Sequence, residues 1–172
     1  MTKSGDRGFT SLADGTRYQK HDKPVQLVGE LDEANCHLGM LAEALKAAGN
    51  PELVVVQRLQ SRLFDVGGAV AIGKARVSFD SEVASLEARV ERLKEDLEPL
   101  VEFVLPGGGD AAARAHLARA VVRRVERSYW ASEVRQLDAA GAGKFLNRLS
   151  DYLFALARSL SDSESCWKPL TS

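Results

Sequence analysis

Five segments in which apolar residues recur every three to four positions predict an all-α, five-helix antiparallel bundle. Connectors bearing Gly, Pro and Asn separate them. Composition agrees: aromatic residues make up 6% of the chain, and Ala, Leu, Val, Glu and Arg dominate, a mixture that favours helix. No convincing strand pattern appears. With 172 residues, one domain over 1–172 is expected, comprising a polar arm over 1–28 and the bundle over 29–165. A chain of this length buries enough core to need neither disulfide nor structural metal.

Residues 1–23 carry Gly5, Gly8 and Gly15 among Lys3, Asp6, Arg7, Asp14, Arg17, Lys20 and Asp22, and read as a loop or extended arm. From about Leu31 the stripe Leu31, Ala34, Leu38, Leu41 and Leu45 marks the first helix, which Ala48-Gly49-Asn50-Pro51 stops. The second carries Leu53, Val56, Leu59, Leu63, Val66 and Val70 and fades at Gly73. Gly67-Gly68 inside it costs about 1 kcal/mol per glycine, so either a backbone or ligand approaches closely there or the helix ends early. Asp80-Ser81-Glu82 is an N-cap cluster for a third helix, with Val83, Leu86, Val90, Leu93 and Leu97, closed by Pro99. The segment from Phe103 to Gly109 is too short and glycine-rich for a helix. Asp110 caps a fourth, running to about Gln136; Ala139 to Gly143 turn the chain, and Phe145, Leu149, Leu153, Leu156 and Leu160 mark the fifth.

Charge and cysteine usage narrow the function classes. Lys and Arg total 23 against 24 Asp and Glu, a net charge of −1, which lacks the basic excess of a nucleic-acid or anionic-membrane binder. Cys36 and Cys166 lie far apart without CxxC spacing, so neither a zinc site nor a disulfide framework is expected. No membrane-spanning run and no hydrophobic signal region is present, and a cytoplasmic protein is expected.

The fourth helix has a face that core packing does not explain. At about 100° per residue, Leu117, Ala118, Val121, Val122, Val125 and Tyr129 share one side, while His116, Arg119, Arg123, Glu126, Arg127 and Trp130 share the other. Taken alone, that stripe reads as a solvated face of i,i+3 and i,i+4 pairs. Arginine, however, suits bidentate phosphate contacts, and the helix begins straight after Pro106-Gly107-Gly108-Gly109, where free backbone N–H groups and the helix dipole favour an anion.

Familiar nucleotide and metal signatures fail. There is no GxxxxGK[ST], and the literal GxGxx[GA] match over residues 107–112 lacks a βαβ unit, so a structural turn and cap suits it better. No Glu-x-x-His accompanies His21, His37 or His116, and no metal-ligating residues are assigned. His116 suits an interface as well as a functional role. Asp32, Asn35, Asn147, Ser150 and Asp151 serve individually as caps or inter-helix hydrogen bonders, and together with the arginine stripe as a polar site between helices.

Five blocks in order resemble the PduO-type ATP:cob(I)alamin (corrinoid) adenosyltransferases. They are Thr2-Lys3-Ser4-Gly5-Asp6-Arg7-Gly8-Phe9-Thr10; Gly29-Glu30-Leu31-Asp32-Glu33-Ala34-Asn35; Phe103-Val104-Leu105-Pro106-Gly107-Gly108; residues 116–127; and Asn147-Arg148-Leu149-Ser150-Asp151-Tyr152-Leu153-Phe154, with Trp167-Lys168 following. Ala34, Ala120 and Val122 depart mildly from the usual Leu, Thr and Cys. The resemblance implies a cobalamin adenosyltransferase-like bundle with an N-terminal nucleotide-binding arm, assembled as a homotrimer with ATP between subunits. By it, Thr2, Lys3, Ser4, Gly5, Thr10, Ser11 and Lys20 wrap the triphosphate, and Arg123, Arg124, Glu126, Arg127 and Asn147 complete the ATP site. Arg119 pairs with Asp32 across the interface, and Phe103 stands beside the corrin and helps displace the lower axial ligand of cobalt.

The implied reaction moves the 5′-deoxyadenosyl group of ATP to cob(I)alamin, with Mg2+ sharing the phosphate charge. A cobalamin reductase and an adenosylcobalamin-dependent mutase are the further partners the resemblance brings. The competing class is a non-catalytic interaction or cofactor-escort protein, which accounts for the bundle but not for the Gly/Lys/Thr-rich arm.

Overall fold

The computed structural model describes residues 5–74, 77–132 and 141–170. Helix α1 (Lys23–Ala47) opens with Pro24 in its first turn, a position where the missing N–H costs nothing. It starts earlier than the expected Leu31, because Leu27 extends the buried stripe Leu31, Ala34, Leu38 by one turn and is itself fully buried. The polar arm therefore yields to helix at residue 23, not 28. Ahead of α1, β1 (Phe9–Ser11) and β2 (Arg17–Gln19) form an antiparallel hairpin that periodicity did not reveal. Three-residue strands are too short to show alternation. The hairpin's turn is held by Asp14, whose carboxylate accepts from Thr16 N (2.8 Å) and Tyr18 Oη (2.7 Å).

Helix α2 (Glu52–Ile72) ends in a left-handed cap at Gly73, as its glycine foreshadowed. The helix does not end early at Gly67-Gly68 and no backbone of the chain presses on them: α2 runs straight through, a Cβ at Gly67 would meet only Leu31 Cδ1, at 4.0 Å, and one at Gly68 would meet nothing within 4 Å. Burial of Leu63, Val66 and Val70 around them offsets the glycine cost. Helix α3 (Asp80–Glu95) stops short of the expected Pro99. Its start is organised by Ser78, whose Oγ accepts from Asp80 N. Phe79, just outside, stacks on Phe145 at 5.1 Å.

Helix α4 (Asp110–Ala131) is capped at Gly109, and Asp110 pairs with Arg114 one turn on instead of capping. The expected continuation to Gln136 and the start of the turn at Ala139 lie outside the described residues. Helix α5 (Ala142–Ser159) already includes Ala142 and Gly143, with Gly141 as its left-handed N-cap. Leu117, expected on the packed side of α4, is 47% exposed.

The helices sit side by side in the order α2, α1, α4, α5, α3. Ion pairs close the circuit between α2 and α3: Arg58 with Glu82, and Arg89 with Glu52 (2.8 Å). Tyr152 of α5 is fully buried and donates from Oη to Glu52 Oε2 at 2.6 Å, so one carboxylate ties three helices. Burial and the adjacent Glu52 charge push the Tyr152 hydroxyl far up, keeping it a donor. His116 is 3% exposed between α4 and α5, its ring edge-on to Phe154 at 6.2 Å. Burial first, then the Arg119 charge, hold its imidazole below the usual 6.5, with Glu164 opposing.

Two outcomes follow from these buried groups. Tyr152→Phe should lose about 1–2 kcal/mol in urea unfolding, since Glu52 keeps Arg89 but loses a buried donor. A native state that resists protonating His116 loses stability as pH falls below 6.5, where the unfolded chain takes up the proton. Melting temperature should therefore drop less steeply from pH 7 to 5 in His116→Gln than in the parent; equal slopes would remove the histidine from the account.

Candidate functional site

The loop joining α3 to α4 carries an exposed apolar cluster: Leu100 (49%), Val101 (86%), Phe103 (77%) and Leu105 (48%), with Trp167 (46%) beside it. Isolated exposed apolar residues are ordinary, but a contiguous cluster marks a binding surface. Behind Phe103 lies a cavity of about 400 Å3 lined by Phe103, Arg119, Arg123, Ser150, Asp151 and Phe154, among others. A second cavity, of about 700 Å3 between α3 and α5, shares Leu100, Asp151 and Phe154 with the first. Together they form an open trough with an apolar floor and a cationic wall.

That wall is electrostatically incomplete. Arg119 lies over the Phe154 ring at 5.6 Å, and its Nε is buried without a hydrogen-bond partner. Burial, and then the charge of Arg123, hold its guanidinium below the ordinary arginine value. Among the described residues neither Arg119 nor Arg123 makes an ion pair. A partly buried cation normally carries a partner, so Arg119, with the exposed Arg123 one turn on, leaves room for an anion or carboxylate that the single chain does not supply.

Further along α4, Glu126 accepts from Asn147 Nδ2 at 3.2 Å, joining α4 to α5. Arg148 steadies this edge by donating to Asn147 Oδ1 (2.7 Å) and pairing with Asp151 (3.4 Å) and Glu87 (2.8 Å). Arg124 turns away to pair with Glu33 of α1. Arg127 donates to the Arg123 carbonyl at 3.0 Å.

The structure thus gathers Phe103, Arg119 and Arg123 at one trough, and Glu126 with Asn147 beside it. Asp32 stays exposed on α1, and among the described residues it makes no ion pair. Gly5, Thr10, Ser11 and Lys20 belong to the hairpin, which rests on the end of α2 through Asp14 N to Ala71 O (2.8 Å). Lys20 is folded back on Gly5, with its Nζ near the glycine. Thr2, Lys3 and Ser4 lie outside the described residues. Among the described residues no cluster of three or more His, Cys, Asp or Glu forms, and no helix is long and apolar enough to cross a membrane. Cys36 and Cys166 are free and exposed.

Phe154, present only as the last residue of the fifth block, and Arg158 have no role in the sequence pattern. Phe154 follows Ser150 by four and Asp151 by three residues, so helical phase alone places it with the two polar outliers. His116 proves to be a packed interface histidine behind Phe154.

Comparison with known proteins converges on one family. The cobalamin adenosyltransferase family model matches residues 1–160. A cobalamin adenosyltransferase of Cupriavidus metallidurans is 38% identical over 162 residues, covering 93% of this chain and 86% of the relative. A corrinoid adenosyltransferase of Bos taurus is 37% identical, covering 91% of this chain and 69% of its own length. Among solved structures, a Phe-to-Ala variant of the PduO-type ATP:corrinoid adenosyltransferase of Lactobacillus reuteri, complexed with cobalamin and ATP, superposes with a TM-score of 0.87. It shares 25% identity and covers 98% of this chain and 99% of its own. Sequence and fold agree: the chain belongs to the cobalamin adenosyltransferase family.

Proposed function

We propose that this chain transfers the 5′-deoxyadenosyl group of ATP to the cobalt of cob(I)alamin. The Co(I) electron pair attacks C5′, a Co–C bond forms, the C5′–O bond breaks, and its electron pair leaves with triphosphate. The observation that carries the reading is the trough: apolar Phe103, Phe154 and Leu100 beside two arginines without a counter-ion. An apolar macrocycle and a leaving polyanion make those two demands side by side. Negative charge grows on the departing triphosphate, so donors already in place lower the barrier without reorganising. No proton transfer at the reacting carbon is required, and the site needs no general base.

Family membership supports the residue roles. Arg123, Arg124, Glu126, Arg127 and Asn147 would hold ATP together with Thr2, Lys3, Ser4, Gly5, Thr10, Ser11 and Lys20. The hairpin rests on α2 rather than α4, which favours an arm serving the α4 face of a second copy. Asp32 of one copy would then meet the unpartnered Arg119 of the next, in a homotrimer. Phe103 is apolar, offers cobalt no ligand and keeps water from its lower face. Mg2+ would arrive on the triphosphate, held by its oxygens and water, since the described residues offer no cluster of ligands. A cytoplasmic location, a reductase supplying Co(I), and a mutase receiving the product complete the proposal.

Anaerobic mixing with chemically reduced cobalamin and ATP should yield the adenosylcobalamin spectrum and one triphosphate per product. Folded assembled protein giving neither would end the enzyme reading, and an ATP-dependent rise in melting temperature without turnover would favour escort. Arg123→Ala should lower kcat on the order of 100–1000-fold with little change in stability. Phe103→Ala should bind ATP as the parent does and adenosylate poorly; unchanged turnover would reject its role.

A further inference from the structure

We propose that Arg158 is a positioning residue for Phe103, a role that rests on the adenosyltransferase reading. Phe103 is 77% exposed on a loop, so core packing does not fix its ring. Its place is set by the backbone on which it rides and by Trp167, whose ring meets it edge-on at 6.3 Å. That backbone is laced to the segment following α5. Trp167 N donates to Phe103 O (2.7 Å), Leu105 N to Ser165 O (2.8 Å) and Asp162 N to Gly108 O (3.0 Å). Val104 and Cys166 form an antiparallel bridge between them.

Two paired loops still need anchoring to the bundle, and Arg158 anchors both. It sits in the last turn of α5 with its side chain 8% exposed. Its Nε and Nη2 grip the two oxygens of Glu164 at 2.6 and 3.1 Å, while Nη2 also donates to the Glu98 carbonyl at 2.8 Å. Glu164 belongs to the C-terminal segment and Glu98 to the α3–α4 loop. One planar guanidinium therefore fastens the two strands of the Phe103 ladder from both sides. A lysine, with a single point charge in place of a rigid fork, cannot reproduce that geometry.

The same turn explains the glycines of the loop. A Cβ at Gly108 (φ +85) would overlap the Ser161 side chain, and one at Gly109 (φ +106) would lie 2.9 Å from Asp162 Oδ2. The segment just past Arg158 is thus pressed against the Pro-Gly-Gly-Gly turn that follows Phe103. Release of Arg158 loosens that whole contact, whereas Arg124, Glu126 and Arg127 of α4 are held by separate bonds.

The test uses the full-length assembly carrying Trp130→Phe, so that Trp167 is the sole tryptophan, with Glu164→Gln, Arg158→Lys and Arg158→Met introduced separately. Each variant should lower kcat on the order of 10–100-fold, the scale of a small misplacement of a reacting group, with the KM for ATP unchanged. Acrylamide quenching of Trp167 should rise in parallel. Glu164→Gln alters a partly exposed partner and keeps the assay valid if the buried Arg158 variants fold poorly. Adding Glu164→Gln to Arg158→Lys should produce little further loss. Parent-like kcat and quenching in Glu164→Gln, or a loss of ATP affinity matching the loss of kcat, would overturn the role. A parent that binds ATP but forms no adenosylcobalamin would instead fail the activity reading, and quenching alone would then decide whether Arg158 holds the ladder.

Discussion

The burial of α5 is the constraint on which the rest of the structure depends. Phe145, Leu146, Leu149, Tyr152, Leu153 and Ala157 are fully buried, and the helix packs against both α4 and α3. Lys144 and Asp151 keep a narrow exposed strip, while the polar groups on the buried sides must find partners inside the protein. Its polar side chains consequently point at separate neighbours. Asn147 meets Glu126 on α4, Tyr152 meets Glu52 on α2, and Arg158 meets Glu164 and the Glu98 carbonyl. Each is a satisfied donor, and Asn147 and Arg158 also brace elements at the trough. Stability and site geometry are therefore set by the same bonds.

The glycine-rich turn before α4 shows how two physical explanations can be separated. Glycines ahead of a helix N-terminus suit a phosphate, and they equally suit a tight turn. Here Gly108 and Gly109 have positive φ and lie against Ser161 and Asp162, so the chain's own C-terminal segment occupies the space their missing side chains leave. Close packing accounts for both residues. The arginines without a carboxylate partner among the described residues, Arg119 and Arg123, lie roughly two and a half to three and a half turns further along α4.

Much of this was legible from residues. The stripes of α1, α2 and α5 are legible in the sequence because one face of each is buried in a regular helix. Ends were less legible: α1 starts earlier because Leu27 adds a turn of burial, and α3 stops at Glu95 before its proline. The hairpin was invisible because Phe9–Ser11 and Arg17–Gln19 are short and largely exposed. Phe103, Arg119 and Arg123, which come from separate motifs, line one cavity. Arg158 could not be found that way, because its partners lie in two loops whose pairing is tertiary. Periodicity carries no information about which carbonyl a buried arginine will reach.

A net charge of −1 argues against a polyanion partner only if the positive charges are free to act together. Most here are not. Arg58, Arg62, Arg89, Arg114, Arg124, Arg148 and Arg158 each have a carboxylate partner within the chain. On α4 that pairing takes up Arg114 and Arg124 and leaves Arg119, Arg123 and Arg127 without a carboxylate among the described residues, Arg119 and Arg123 lining one cavity. Low net charge thus coexists with a local excess of cation, confined to one wall and partly screened from water by Phe154. Such a site attracts a compact anion held close to it and exerts little pull at a distance, since a nearly neutral chain produces no long-range field. A leaving triphosphate meets that description, and an extended nucleic acid does not.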